Sequence, residues 1–248
     1  MKRIIAGRRA VQEALRASSK QLSVLYVDQR EARALSELVS QATSARIPIE
    51  SVDRDALTRL AQGVKHQGIV AVAGAYPHVS VEEILNAAEP APLLLALDQV
   101  QDPHNLGAMV RSAVALGADG VITLKDRACP VNATVVRTSA GATEFARIAR
   151  VTNLRRTLDA LGDAGLERVG LAAEGDTTLD ELPYPQAGRV LVVGSEGQGL
   201  RRLVREGCDR LARIEQVGPI ASLNASVAAG IALSECARGR RAALDAQG

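Results

Sequence analysis

Hydrophobic and polar positions along this chain switch repeatedly between two rhythms. One is the period of about 3.6 that marks a half-buried helix; the other is the alternation, or short apolar run, that marks a strand. AVQEALRA (10–17) has helical spacing, LSVLYVD (22–28) reads as a strand, and EARALSELVSQATSA (31–45) is helical again. IPIESV (47–52) follows as a strand, DALTRLAQ (55–62) as a helix and GIVAVAGAY (68–76) as a closing strand. This alternation predicts a small α/β unit over residues 1–77. YPHVSVEEILNAAEPAP (76–92) has prolines at both ends and an acidic, alanine-rich middle, so 78–91 reads as a linker.

The second part, 92–248, opens on LLLAL (93–97), an apolar run suited to a buried parallel strand. A helix over about 106–116, strand GVITL (120–124), a helix near 131–139 and strand ARIARV (146–151) come next. Then come a helix at 153–162 and strands RVGLAAE (168–174) and RVLVV (189–193). A helix starting near Leu200, strand LARI (211–214) and a long alanine-rich helix from about Leu223 to Arg238 complete the pattern. The expected architecture is α/β throughout, the larger part a mostly parallel sheet with helices on both faces. Ligands of such sheets sit at the carboxyl ends of the strands.

Three segments at those ends stand out. In LDQVQDPHNLGAMVRS (97–112), Asp102-Pro103 turns the chain and Asn105 is placed to cap the following helix. Arg111, six residues on, should project near the same helix end. In GSEGQG (194–199), three glycines surround Glu196. A phosphate-binding glycine loop works through unopposed N–H groups, and a carboxylate would repel that ligand. The spacing G-x-x-G-x-G after a late strand also departs from the dinucleotide fingerprint that follows a first strand. A tight turn does not by itself account for all three glycines. In IEQVGPIASLNASVAAGIAL (214–233), Ser222 and Asn224 stand at the start of the last helix, with Ser226 one turn after Ser222. Small residues beyond them permit close packing.

Composition narrows the possibilities. Lys plus Arg is 30 and Asp plus Glu 28, so a net charge of +2 does not announce a nucleic-acid binder. Arginines cluster at 201, 202 and 205, either as a phosphate grip or as a solvated helix face. With no Trp, one Phe and three Tyr, base stacking on an aromatic platform is excluded as the main recognition mode. Cys129, Cys208 and Cys236 form no C-x-x-C pair and read as small core residues of a reducing compartment. No apolar stretch is long enough to span a membrane, the N-terminus lacks a signal segment, and no metal site stands out. A soluble, cytoplasmic protein is expected.

Taken in order, DPHNLGAMVRS, GSEGQGL and SLNASVAAGIAL resemble the three signature motifs of the SpoU family of RNA ribose 2′-O-methyltransferases. GRRAVQEAL and KHQGIVA resemble the substrate-binding domain of its RlmB-type members. The resemblance implies methylation of a guanosine in the peptidyl-transferase region of 23S ribosomal RNA. It implies S-adenosylmethionine as cofactor, a SPOUT α/β domain with a deep trefoil knot, an N-terminal domain like ribosomal L30e, and a homodimer. It places Asn105, Arg111, Glu196, Ser222 and Asn224 in the catalytic set, and Gly194, Ile214 and Leu223 against the cofactor. Arg111 is expected to bind the 3′ phosphate of the target nucleotide and steady the developing alkoxide. Glu196 is expected to hold Arg111 or the substrate, and Asn105 and Asn224 to orient Arg111 and the hydroxyl. Ser222 and Ser226 are expected as further partners. Phosphate contacts to RNA are expected from Arg8, Arg9, Lys65 and His66. The sequence departs from the RlmB pattern at Arg9, where histidine is common, and at Ala225, where the motif has valine.

Overall fold

The computed structural model describes residues 2–219 and 222–246. The chain forms two compact units, Met1–Pro77 with Pro130–Phe145, and His78–Cys129 with Ala146–Gly248.

The first unit holds a four-stranded sheet of β1 (Arg3–Ala6), β2 (Leu22–Asp28), β3 (Ile49–Val52) and β4 (Ile69–Ala73), in the order β1-β4-β2-β3. β4 is central, antiparallel to β1 and β2, while β2 and β3 run parallel. β1 escapes the sequence pattern because only four residues carry it, and its pairing with β4 makes it a strand. Helices α1 (Arg8–Ser18), α2 (Ser36–Ser44) and α3 (Arg54–Leu60) cover the sheet. Successive side chains of a strand face opposite ways, and β4 shows it. Ile69 and Ala71 join Val11, Ala14 and Leu38 in one core, and Val70 joins Leu57 of α3 and Ala61 just beyond it in another. The segment 130–145, sequentially part of the larger region, folds here. Its helix α6 (Ala133–Thr138) contributes Val136 to the core around Ile5 and Val11.

Residues 78–91, expected as a linker, carry helix α4 (Val81–Asn86). The reason is local and readable: Ser80 and Glu83 form a reciprocal capping box, with Glu83 N donating to Ser80 Oγ at 3.0 Å and Ser80 N to Glu83 Oε2 at 2.6 Å. Ile84 is fully buried in the core of the second unit.

The second unit is built on seven parallel strands in the order β7-β6-β5-β10-β8-β11-β9. They are β5 (Leu93–Leu97), β6 (Gly120–Leu124), β7 (Ile148–Val151), β8 (Glu167–Leu171), β9 (Thr177–Thr178), β10 (Arg189–Val193) and β11 (Arg210–Arg213). β5, β6 and β10 are buried along their whole length, as their uninterrupted apolar runs predict. Helices α4, α7 (Leu154–Asp163) and α8 (Arg202–Arg205) supply Ile84, Leu158 and Val204 to the core on one face. On the other face α5 (Pro103–Ala115) packs against α9 (Ala225–Asp245), which also contacts β10.

Candidate functional site

The strand order doubles back around β5 and β10: the chain leaves β5 towards β6 and β7, then crosses to β8 and returns to β10. Loops at the carboxyl ends of strands diverge at such a switch point and leave a crevice. A cavity of about 560 Å³ lies there. It is lined after β8 by Leu171–Glu174, after β10 by Gly194–Leu200, after β11 by Ile214 and Gln216, and by residues from Ser222 to Ala228. Gly194, Ile214 and Leu223, expected against a cofactor, all line it, and so does Ser222.

Each glycine of the loop has a conformational reason and, as expected, a tight turn accounts for only two of the three. The loop folds back so that Gly199 N donates to Ser195 O at 2.9 Å. A Cβ on Gly194 would lie 2.1 Å from the Gly199 carbonyl carbon, so backbone occupies the space of a side chain. Gly197 (φ +79°) and Gly199 (φ +63°) occupy the left-handed region. The turn lifts Glu196 into the wall of the cavity.

Asn105, Glu196 and Asn224, from three separate segments, meet in one hydrogen-bonded cluster. Asn105 Nδ2 donates to Glu196 Oε2 at 2.9 Å, and Asn224 Nδ2 donates to the same oxygen at 3.3 Å and to Asn105 Oδ1 at 3.1 Å. Glu196 Oε1 has no partner among the described residues. Asn224 also caps α9: its Oδ1 accepts from Ser226 N (2.9 Å), Ser226 Oγ (2.6 Å) and Val227 N (3.4 Å). Ser226 thus steadies Asn224.

Two expectations need correction here. Asn105 is not the cap of α5; Asp102 is, accepting from His104 N and Asn105 N, and Pro103 occupies the first helical position. Its side chain is thereby released to the cluster. Of the two partners expected for Glu196, Arg111 or the substrate, Arg111 is not bound within this chain, where the carboxylate holds the two asparagines. Arg111 is exposed and bonds to no described residue. Six residues along a helix turn roughly 240° and advance about 9 Å, so it leaves the direction of Asn105.

In the first unit, Arg9 and Lys65 are exposed, and Arg8 pairs with Glu31 at 2.5 Å while its Nε donates to Gln67 O. His66 does not fit an RNA-contacting role. Its ring is buried, Nδ1 accepts from Gly68 N at 3.1 Å, and Nε2 lies 3.3 Å from Thr58 Oγ1, so one nitrogen serves the turn before β4 and the other faces α3.

The arginine cluster resolves into three pairings: Arg201 with Asp98, Arg202 with Glu206, and Arg205 with Glu174. Asp98, at the end of β5, was not singled out in the sequence. It is fully buried, and its oxygens take Arg201 N at 2.9 Å and Arg201 Nε at 2.8 Å. This clamp ties the loop leading to Asn105 to the return of the loop that carries Glu196. The signal was an aspartate directly after LLLAL, a carboxylate at a depth that demands a partner. The Arg205–Glu174 pair lines the 560 Å³ cavity, and the guanidinium holds the Glu174 carboxyl below its usual range.

Burial pushes the Cys208 thiol up to about 12 and raises those of Cys129 and Cys236, so none is a ready nucleophile. Among the described residues no group of His, Cys, Asp or Glu is arranged to hold a metal, and no helix is long and apolar enough to cross a membrane.

Comparison with known proteins gives this geometry its context. Residues 4–79 match the RNA 2'-O ribose methyltransferase substrate-binding family. Along 247 aligned residues the chain is 47% identical to a Mycolicibacterium gilvum protein named "Uncharacterized tRNA/rRNA methyltransferase", covering 96% of this chain and 77% of that one. The SpoU methyltransferase AviRb of Streptomyces viridochromogenes, solved with AdoMet, superposes with a TM-score of 0.81 at 26% identity, over 97% of this chain and 91% of that one. A solved RNA 2'-O ribose methyltransferase gives 0.79 at 27% identity, over 97% and 89%. With residues 92–234 matching the SpoU rRNA methylase family model, the segments that build the cavity and its asparagine–glutamate cluster are those of a family member: this chain belongs to the SpoU rRNA methylase family.

Proposed function

We propose that this protein transfers a methyl group from S-adenosylmethionine to a ribose 2′-hydroxyl of RNA, its substrate being a guanosine in the peptidyl-transferase region of 23S ribosomal RNA. The observation that carries the reading is the Asn105–Glu196–Asn224 cluster set in the wall of the glycine-loop cavity. The cavity suits the cofactor. Its volume falls in the range of small-molecule sites, and Leu171, Val193, Ile214 and Leu223 offer aliphatic surface to an adenine. The Glu196 carboxylate in its wall suits a ligand whose reactive end is a sulfonium cation and which has no phosphate.

When bound, S-adenosylmethionine supplies a methyl group activated by its sulfonium. The chain's own residues must then present the hydroxyl and take its proton. Glu196 Oε1, unoccupied while Oε2 holds two amides, is positioned to accept a hydrogen bond from the hydroxyl and draw off its proton. Asn105 and Asn224 fix the carboxylate so that little reorganisation is needed at the moment of transfer. Arg111, exposed, unpaired among the described residues and turned away from this chain's own cluster, supplies a fork for the adjoining phosphate at the partner subunit's site in the proposed homodimer; Arg9 and Lys65 contact RNA phosphates further off. The knotted chain path and the homodimer implied by the resemblance belong to the same proposal. In support of the dimer, α9 exposes Val227 and Ile231, one turn apart and 50% and 39% accessible, as an apolar stripe. Ile231→Glu should convert a dimer to monomer in sedimentation.

The test is transfer of labelled methyl to 23S RNA lacking its ribose methylations, followed by alkaline hydrolysis. A 2′-O-methyl blocks cleavage at its own linkage, so label in an uncut dinucleotide beginning with guanosine is the expected result. Label in mononucleotides would overturn ribose chemistry. Label with transfer RNA alone would keep the enzyme and replace the substrate. Arg111→Lys keeps charge and loses the fork; methylation at the parent rate would remove Arg111 from the mechanism.

A further inference from the structure

A second cavity, of about 230 Å³, adjoins the first. The two share Ser195, Glu196, Gln198 and Ala225 as a common wall, and Asn105 faces the second one. Gln99, Gln101 and Gln198 also line it, and none of the three side chains has a hydrogen-bond partner among the described residues. Gln99 sits at φ +57°, a left-handed conformation that residues with a Cβ seldom adopt. Gln101 and Gln198 are exposed and Gln99 half-buried, so the three amides stand open to a ligand that enters the concavity.

We infer that this second cavity takes a single unstacked nucleobase, whose hydrogen-bonding edge is read by the amides of Gln99, Gln101 and Gln198. Resting on the methyl-transfer reading above, the inference assigns the two cavities to the two substrates, with Glu196 between them. Size supports one base: 230 Å³ is the liquid volume of about eight waters, comparable with a base and too small for a base pair. The target is therefore single-stranded or turned out of its stack. An amide offers a donor and an acceptor side by side, matching the N1–H and O6 of guanine or, turned over, the N1 and N6–H of adenine. Recognition through hydrogen bonds also suits a chain with one phenylalanine and no tryptophan.

Two experiments test it, and the first does not need catalysis. The four nucleoside 3′-monophosphates, with ribose phosphate as control, are titrated onto the ¹⁵N-labelled, cofactor-saturated protein. The side-chain amide resonances of Gln99, Gln101 and Gln198 should move, most with one base and not with ribose phosphate. Resonances that stay still, or move equally with ribose phosphate, overturn the inference. Secondly, RNA is made with each of the four bases at the methylated position, and kcat/KM is compared for the parent, Gln101→Ala and Gln101→Glu. Loss of one amide should cut the preference for the favoured base by about tenfold. Gln101→Glu, which replaces donors by an acceptor at constant shape, should redistribute the preference among bases. Neither variant should change affinity for S-adenosylmethionine. A uniform fall for all four bases, or a change in oligomeric mass with base preference intact, would assign the cavity to structure or to a subunit interface instead. Base-dependent shifts in the first experiment without methylation of any RNA would retain the base pocket and reject the methyl-transfer reading.

Discussion

Asn224 does two jobs with opposite ends of one amide. Its oxygen caps α9 and its nitrogen donates to Asn105 and Glu196. Asn224→Asp separates them. The carboxylate keeps both acceptor positions, and a negative charge at a helix N-terminus is favourable. The donors disappear, however, and a second carboxylate faces Glu196. Thermal unfolding of Asn224→Asp should stay close to that of the parent, while kcat falls on the order of a hundredfold, the scale expected when a reacting group is misplaced by about 1 Å. Asn224→Ala should lose the activity and, in addition, about 1 kcal/mol of stability through the cap. Equal destabilisation by both variants would show that capping is not separable from the cluster. The two asparagines were visible in the sequence as polar residues at helix starts. Their convergence was not, because Asn105 and Asn224 are 119 residues apart and Glu196 comes from a third segment.

At the scale of elements, the short strand-like stretches were the most legible signals: LSVLYVD, LLLAL, GVITL and RVLVV coincide with β2, β5, β6 and β10. Elements that depend on a partner or on a cap were harder to read. β1 needs β4, and α4 announces itself only through the Ser80–Glu83 box. The glycine loop was legible in composition and as more than a turn, but the close backbone approach that Gly194 serves is a tertiary fact. Gly194→Ala places a Cβ against the Gly199 backbone and should cost about 1–3 kcal/mol, as overpacking does, together with cofactor binding. Gly197→Ala meets open space and bears only the left-handed penalty, about 1–2 kcal/mol. Denaturant titration with calorimetric cofactor binding separates them; retained binding in Gly194→Ala would show that the loop can refold around a side chain. A pH-dependent contact lies at the start of β8 and β11, where Arg168 holds the Asp209 carboxyl below its usual range. A depressed carboxyl pKa stabilises the fold above the unfolded value and is lost as pH falls through the folded one. Asp209→Asn should therefore cost at most about 1 kcal/mol at pH 7, given its exposure, and the difference should vanish in acid below the native carboxyl pKa.

At the scale of the whole molecule, the boundary that the sequence draws after residue 77 divides the chain in two, but the first compact unit also uses residues 130–145. Nothing in the hydrophobic pattern of those residues says which core they join, because a short amphipathic helix fits either. Packing decides it. Val136 completes the core around Ile5 and Val11, and Tyr76 Oη donates to Thr143 O at 2.8 Å. Glu144 meets Arg3 at 2.7 Å with both side chains buried, 1% and 3% accessible, while also accepting from Ser18 Oγ at 2.6 Å. Tyr76 lies over the same guanidinium, 5.3 Å from its centre. Removing one member of a buried pair leaves an uncompensated charge and costs about 3–5 kcal/mol, a large share of the 5–15 kcal/mol that typically holds a domain together. A fragment of residues 1–77 retains Arg3 and loses Glu144, Val136 and the Thr143 carbonyl at once. It should show no cooperative thermal transition by circular dichroism, and a peptide of residues 130–145 added in trans should restore one in proportion to its concentration. In the intact chain, Glu144→Gln should lower the stability of the same unit without altering the Asn105–Glu196–Asn224 cluster, as read by unchanged affinity for S-adenosylmethionine. Cooperative unfolding of the 1–77 fragment by itself would mean that the inserted segment decorates this unit and does not complete it.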